Sequence, residues 1–211
     1  MSMTDITFFH NPMSRGQIAH WALREAGVDF ETVLVDWNAR PQALLDANPM
    51  GKIPTIIHHA SDGDVIVSEA PAICHYLAEI APGQTLLPTP RERGAYFRWL
   101  FFAAGPLEQA ITARSMGWEV PEGRSMMAGF GHYDLTIDTL DWWLSDHEYV
   151  CGDRFTMVDV YVGSAVDWGM VFGTMPERPA FQAYAGRIRA RDAYRAAKEA
   201  DDALIAEAQN G

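Results

Sequence analysis

The chain has 211 residues, of which 48% are hydrophobic and 21% are charged, and its formal net charge is −12. A chain of this length can form one large or two small domains with an ample core. The acidic balance and the absence of a basic patch argue against a nucleic-acid-binding protein, and no apolar run is long enough to cross a bilayer.

Cysteine usage and the first residues indicate the compartment. Cys74 and Cys151 are far apart and form no CxxC pair, which is typical of buried thiols in a reducing cytoplasm. Residues 1–5 carry neither the basic nor the apolar region of an export signal. We therefore expect a cytoplasmic protein.

The first part of the chain alternates between strand and helix patterns. Runs of β-branched and aromatic residues at 6–10 and 30–36 flank a helical pattern at 14–26, which Gly27 ends as a C-cap glycine. Two strands joined through a helix predict a right-handed βαβ unit with a parallel pair. A short helical pattern follows within 36–48.

A second pair of strands comes next. Strand patterns at 55–58 and 65–67 are separated by the hairpin-type turn Ser61-Asp62-Gly63-Asp64, which predicts antiparallel pairing. Pro71 then begins a helix with an apolar face. The predicted order of this domain is βαβ followed by ββα.

The loop before the third strand is the most informative part of this domain. Pro49 and Gly51 interrupt the preceding pattern, and Ile53 and Pro54 open a β-branched run. Only ~5–6% of X–Pro bonds in folded proteins are cis, so these residues alone favour a strand that simply begins with proline. The alternative is a cis Ile53–Pro54 bond, which would turn the backbone N–H and C=O of Ile53 outward toward an extended peptide.

A domain boundary is predicted where proline and glycine accumulate. The stretch 83–90 is rich in both, so we assign a first domain to 1–82, a linker to 83–90 and a second domain to 91–211.

Beyond the linker, the hydrophobic residues recur with the spacing of a helix throughout. We predict one long helix over 91–116, bent at Gly105-Pro106, and another over 126–147. Thr156 and Asp159 have the spacing of a capping box. That box opens a third helix, and two more follow at the positions 179–188 and 192–208.

This order of elements resembles the glutathione S-transferase family. The resemblance rests on Ile53-Pro54-Thr55, Ser68-Glu69-Ala70-Pro71-Ala72-Ile73 and the capping box, in that order and spacing, and Ala22–Gly27 is similar to bacterial members. It implies an α/β thioredoxin-like N-terminal domain plus an all-α C-terminal helical domain. It also implies glutathione as co-substrate and a homodimer, with no nucleic-acid or membrane partner.

The resemblance also implies where glutathione binds. Ile53 would bind the cysteinyl part through its backbone beside a cis Pro54, and Glu69 would take the α-amino group. His10 near the end of the first strand and Lys52 in the loop could contact the glycyl carboxylate, although a single lysine in a loop is usually only solvated. Ala70 departs from the Ser or Thr that the family usually carries. As an N-cap it would leave first-turn N–H groups unsatisfied, a deficit of ~0.5–2 kcal/mol. Those groups could still bind the glutamyl carboxylate; the alternative is a turn capped by water or Ser68 and a weakened site.

Activation of the thiol requires a donor to the sulfur, because an unperturbed thiol titrates near pH ~8.5. The family supplies a Tyr, Ser or Cys near the end of the first strand. Phe8 and Phe9 have no hydroxyl, which leaves Ser14, with Arg15 beside it and Asn11 as a second candidate donor. The competing interpretation is that Ser14 only caps the first helix.

The electrophile pocket is expected, again by resemblance, at Phe9, Met116 and Trp118. His58 and His59 lack further ligand types at metal spacing, so no metal is predicted. The function implied is conjugation of the glutathione thiolate to small apolar electrophiles. A glutathione-dependent isomerase or peroxidase, and a non-catalytic glutathione-binding or regulatory module, remain the alternatives.

Overall fold

The computed structural model describes residues 5–210. The expectation that residues 1–5 form no export signal concerns a segment of which only residue 5 lies in this range. Contacts between residues divide the chain into two units, one formed by the chain up to Leu87 together with the segment from Ala190 onward, and one formed by 88–189. No helix within 5–210 has both the length and the apolar composition needed to cross a membrane.

The described elements follow one another in a strand-rich first part and a helical second part. In chain order they are β1 (Ile6–His10), α1 (Gly16–Ala26), β2 (Phe30–Leu34), α2 (Gln42–Ala47), β3 (Thr55–Ala60), β4 (Gly63–Ser68), α3 (Ala70–Ile80), α4 (Arg93–Phe102), α5 (Glu108–Ser115), α6 (Tyr133–Ser145), α7 (Met157–Val171), α8 (Pro179–Arg189) and α9 (Asp192–Asn210).

The four strands of the first unit form one mixed sheet in the order β2-β1-β3-β4. β1 and β2 are parallel, whereas β3 is antiparallel to both β1 and β4. This confirms the predicted βαβ–ββα order. In the register, Phe9 lies opposite Thr55 and Thr55 lies opposite Ser68. The end of β1, the start of β3 and the end of β4 therefore meet at one edge of the sheet.

The last helix belongs to the first unit. The helical period beyond the linker predicts that all of 91–211 belongs to the helical domain, but α9 packs on α1. Arg191 forms two hydrogen bonds with the carboxylate of Glu25, at 2.6 and 2.7 Å. The rings of Trp21 and Tyr194 meet edge-to-face with centroids 5.1 Å apart. These contacts draw the end of the chain back onto the first unit, and the helical unit ends at Arg189.

The long helices predicted in the second unit are interrupted. Between α4 and α5 the segment Ala103–Leu107 is π-helical and contains Pro106, where the bend was expected, because proline supplies no N–H to the helical ladder. The helix predicted over 126–147 begins later, at Tyr133. Gly131, with φ 64°, breaks it, and His132 caps α6 by accepting a 3.2 Å hydrogen bond from Leu135 N–H.

The capping box at the start of α7 is confirmed. Thr156 and Asp159 exchange the two reciprocal bonds, and Asp159 also accepts from Val150 N–H and from the Tyr184 hydroxyl, both at 2.8 Å. The carboxyl is fully buried, and burial raises its pKa to about 6 despite these hydrogen bonds. The box therefore connects the loop before α7, α7 itself and α8.

Candidate functional site

Three segments converge at the sheet edge where β1 ends. They are the turn 11–15, the loop 48–54 before β3, and the start of α3 after β4, and the strand register brings all three together. Most of the predicted site residues lie in these segments.

The loop before β3 is organised by one buried amide. Asn48 is 8% exposed, and its Nδ2 donates to Lys52 C=O and to Thr55 Oγ1, both at 3.2 Å. The Ile53–Pro54 bond is cis, as the family resemblance implied. Among the described residues, neither the N–H nor the C=O of Ile53 has a hydrogen-bond partner. An open donor and an open acceptor beside each other suit pairing with an extended peptide.

Lys52 uses only its backbone in this loop. Its carbonyl also accepts a 2.9 Å hydrogen bond from Thr55 Oγ1, while the residue is exposed. Within 5–210 its ammonium forms no ion pair. It therefore offers a cation at the rim of this loop.

The start of α3 differs from the prediction by one residue. Glu69, not Ala70, is the N-cap, and Ala70 is the first helical residue, because Ile73 N–H bonds to Glu69 C=O at 2.9 Å. No side chain caps the helix. Pro71 has no N–H, and the N–H groups of Ala70 and Ala72 have no partner among the described residues. Two donors at the positive end of an 11-residue helix have the chemistry that suits an anion.

Glu69 holds this edge in an unfavourable backbone conformation. Its φ is 70° and its ψ 117°, outside the regions that residues with a Cβ normally adopt. Such strain costs on the order of 1–3 kcal/mol and is concentrated at ligand sites. The side chain is exposed, and its carboxylate has no hydrogen-bond or ion-pair partner among the described residues.

The hydroxyl of Ser14, in the turn 11–15, is already engaged in hydrogen bonds. Ser14 Oγ–H donates to Asn11 C=O at 2.7 Å, and Oγ accepts from the N–H of Gly16, the first residue of α1, at 2.9 Å. The Ser14 backbone N–H has no partner within the described chain. Asn11 donates from Nδ2 to Val35 C=O, at 2.9 Å. Arg15 is exposed and is the N-cap residue of α1.

Two of the three residues expected in the electrophile pocket are exposed. Phe9 is the exception: its side chain is 1% exposed and packs in a core cluster with Val35 and Leu44, so the expectation for Phe9 is wrong. A residue in the middle of a sheet that is covered on both faces offers no surface to a ligand. Met116 and Trp118, just after α5, are each 61% exposed.

A cluster of metal-ligating side-chain types lies in the first unit, although the spacing of residues in the sequence predicts no metal site. His10, His20 and Asp201 are all buried, and one ligand atom of each lies within 4.8 Å of the others. Burial alone would raise the pKa of Asp201, but hydrogen bonds from His10 and His20 lower it below the ordinary value. The pair His10–Asp201 is 191 residues apart in sequence, so no local spacing could have revealed it.

The two halves of the chain match two family models. Residues 13–80 match "Glutathione S-transferase, N-terminal domain" and residues 127–192 match "Glutathione S-transferase, C-terminal domain", together more than half of the chain. Curated relatives include glutathione S-transferase GstA of Escherichia coli O157:H7, 26% identical over 76% of this chain and 80% of the relative. Glutathione transferase GST 23 of Zea mays is 29% identical over 88% of this chain and 85% of the relative.

Solved structures extend this likeness to the fold. A glutathione transferase from Methylococcus capsulatus is similar with a TM-score of 0.74 and 26% identity, covering 93% of this chain and 98% of the other. A sphingomonad glutathione S-transferase solved in complex with glutathione has a TM-score of 0.72 and 28% identity over the same shares, 93% and 98%. The thioredoxin-like domain followed by a helical domain is therefore the architecture of this chain.

Proposed function

Because the chain belongs to the glutathione S-transferase family, we propose that it binds glutathione in its first unit and transfers the glutathione thiolate to small apolar electrophiles. The observation that carries this proposal is a set of backbone groups at one sheet edge that have no partner within 5–210: Ile53 N–H and C=O, and the N–H groups of Ala70 and Ala72. Glutathione is an extended tripeptide with an α-carboxylate at one end, so its chemistry matches both features.

Each part of glutathione has a candidate partner. The cysteinyl backbone pairs with Ile53 in the manner of a short added strand. The γ-glutamyl carboxylate binds the free N–H groups at the start of α3, where the helix dipole favours negative charge. Glu69 accepts from the α-amino group, and Lys52 binds the glycyl carboxylate as a flexible point charge.

The thiolate is stabilised at the turn before α1. The Ser14 N–H is free to donate to sulfur, and the Ser14 hydroxyl joins it by turning away from Asn11 C=O. Asn11 and Arg15 are the other groups from which stabilisation can come. Donors that interact more strongly with S⁻ than with S–H lower the thiol pKa and leave docking of the peptide nearly unchanged.

The electrophile lies against Met116 and Trp118 in this proposal. Both side chains are exposed apolar groups, and methionine adapts to ligands of different shape. We also propose that the active protein is a homodimer in the cytoplasm and needs no metal.

Calorimetry followed by a conjugation assay tests the proposal. We expect glutathione to bind and to react with a generic aryl halide, with a pH–rate profile that reports a thiol pKa below ~8.5. S-methylglutathione is the matched control, since it retains the peptide but has no thiol; it should bind without turnover. Absence of glutathione binding would contradict the assignment of the site.

One observation favours a second candidate, a non-catalytic glutathione-binding module. The Ser14 hydroxyl proton is already bonded to Asn11 C=O, so the turn has no hydroxyl free for the sulfur. Glutathione binding with an unshifted thiol pKa, and without turnover of aryl halides, peroxides or isomerisation substrates, would favour this module over the enzyme.

A further inference from the structure

A buried hydrogen-bond network joins α9 to the start of α1. Asp201 Oδ1 lies 2.8 Å from His10 Nε2 and 2.8 Å from His20 Nδ1, and the side chains of His10 and Asp201 are each 1% exposed. Two polar atoms of this network, His10 Nδ1 and Asp201 Oδ2, are buried without a hydrogen-bond partner in the described structure. The proposed transfer of glutathione uses none of these groups directly.

The hydrogen bonds fix the proton positions on both rings. Arg24 Nε donates to His20 Nε2 at 3.2 Å, so that nitrogen carries a lone pair and the proton of His20 sits on Nδ1, facing Asp201. His10 Nδ1 has no hydrogen-bond partner in the described structure, so we place the proton of the His10 ring on Nε2, where it donates to the same carboxylate oxygen. Asp201 from α9, and His20 and Arg24 from α1, are the titratable or charged groups that face His10 in this network.

The same three side chains have the chemistry of a zinc site, yet their spacing is that of hydrogen bonds. Zinc lies ~2.0–2.2 Å from each nitrogen and oxygen ligand, so it spreads its ligands apart. Here one carboxylate oxygen is 2.8 Å from both nitrogens, a distance at which a proton lies between them. We therefore interpret the cluster as a set of side chains joined by hydrogen bonds, not by a metal ion.

The unpaired nitrogen of His10 faces the catalytic turn. A Cβ built on Gly16, the first residue of α1, would lie 2.4 Å from His10 Nδ1 and 3.0 Å from Ser14 Oγ. The imidazole therefore sits directly against the backbone that donates to Ser14 Oγ. Nδ1 therefore occupies the space that a Cβ at position 16 would need, and no acceptor for a proton on Nδ1 lies within reach among residues 5–210.

We propose that Asp201, acting through His10, is a positioning residue for the turn that holds the glutathione sulfur. The inference rests on the proposed function above. Asp201 keeps the His10 proton on Nε2, and the ring with its lone pair toward Gly16 then supports the turn in the geometry in which Ser14 can face the thiol. A group on the last helix thereby sets the geometry of a site built at the other end of the sequence.

The test compares Asp201→Asn with Asp202→Asn. Asp202 is the next residue of α9, is exposed and pairs with Lys198, so it reports any general effect of removing a charge from this helix. We expect Asp201→Asn to shift the pH–rate profile of conjugation to higher pH and to lower kcat about tenfold at neutral pH, with the glutathione dissociation constant changed less than threefold. Asp202→Asn should match the wild type in all three measurements.

Two variants of His10 separate positioning from simple packing. His10→Gln retains a donor near the position of Nε2, so it should partly restore the wild-type pH profile. His10→Leu fills similar space without a donor and should reproduce the shifted profile of Asp201→Asn. A wild-type profile in Asp201→Asn, or the same shift in Asp202→Asn, would overturn the proposal.

An amide-exchange measurement tests the proposal independently of glutathione. In Asp201→Asn, exchange at Gly16 and Gln17 should accelerate several-fold relative to α3, and in Asp202→Asn it should not change. Unchanged exchange in Asp201→Asn would overturn the positioning role. If wild-type protein binds no glutathione, it is the proposed function that fails, and the exchange result still decides whether Asp201 positions the turn.

Discussion

At the scale of single residues, Glu69 combines two properties that a purely structural residue would not need. Its backbone has φ 70°, and its exposed carboxylate is unpaired among the described residues. Both follow from its place between β4 and α3, where the chain must turn sharply and still present the free N–H groups of Ala70 and Ala72. Strain of this kind is found at ligand sites, which is consistent with the glutathione site proposed here.

We predict that Glu69→Ala weakens glutathione binding about ten- to a hundredfold, because a charge-assisted hydrogen bond contributes ~1.5–3 kcal/mol. Calorimetry measures the loss. Glu69→Gln, which retains the length of the side chain but not its charge, should lose part of the affinity. Glu69→Gly should lose as much affinity as Glu69→Ala while gaining about 1 kcal/mol in the free energy of unfolding, since glycine adopts this φ without strain. A dissociation constant that stays at the wild-type value in Glu69→Ala would remove the residue from the site.

Ser14 has two functions in the proposed site, and they can be separated. Ser14→Ala removes both the acceptor for Gly16 N–H and the hydroxyl donor, so we expect the pKa of bound glutathione to rise by roughly one to two units. The pH–rate profile measures this rise. Ser14→Thr keeps the hydroxyl and should keep the profile. If Asn11→Ala or Arg15→Ala shifts the profile while Ser14→Ala does not, that residue stabilises the thiolate instead.

At the scale of secondary structure, the capping box of α7 links stability to pH. Burial raises the pKa of Asp159 to about 6, above the ordinary value for an unfolded chain. The folded state therefore binds the proton more tightly than the unfolded state, and the stability this contributes is present below pH ~4 and lost as the pH rises to about 6. The largest effect, for two pKa units, is about 3 kcal/mol.

Denaturant unfolding between pH 4 and 7 measures this linkage. The wild type should lose stability with rising pH relative to Asp159→Asn, whose amide does not titrate in this range. The quantity to compare is the slope of the unfolding free energy against pH, because the substitution also changes the helix cap and so shifts the absolute stability. Asp153→Asn, at an exposed position nearby, should follow the wild type. Parallel pH curves for the wild type and Asp159→Asn would contradict the raised pKa.

Two glycines in neighbouring helices give a test of packing. A Cβ on Gly163 in α7 would lie 2.7 Å from Cδ1 of the fully buried Ile188, whereas a Cβ on Gly186 in α8 meets nothing within 4 Å. We expect Gly186→Ala to stabilise the protein by about 1 kcal/mol through helix propensity, and Gly163→Ala to destabilise it by about 1–3 kcal/mol through overpacking. Thermal unfolding distinguishes the two, and equal shifts would contradict the tight contact of α7 with α8.

At the scale of the whole molecule, local patterns were sufficient for most elements and insufficient for long-range contacts. Spacing, turn residues and the capping box predicted the sheet and the start of α7 because these signals lie within a few residues of one another. The burial of Phe9 depends on a sheet covered on both faces, and the network of His10 with Asp201 depends on a helix from the far end of the chain. Nothing in the mostly polar pattern of α9 marks which unit it joins.

We predict that removal of residues 190–211 unfolds the first unit. The deletion removes the partner of Glu25, the ring against Trp21 and the carboxylate beside His10. Circular dichroism and proteolysis should report loss of the sheet. Removal of 207–211 alone is the matched control, because residues 207–209 are exposed, and it should leave the unit folded. A folded sheet in the longer deletion would show that α9 is dispensable.

The discontinuous first unit also imposes an order on biosynthesis. A ribosome adds roughly 5–20 residues per second, so about ten seconds separate the synthesis of Leu87 from that of Asp201. During this interval all the residues of the second unit, 88–189, have been made, while the first unit still lacks its final helix. The face of α1 that carries Trp21 and His20 stays uncovered on the nascent chain. The unit encoded first is thus the last to be completed, and its exposed face is a surface for chaperones to protect during translation.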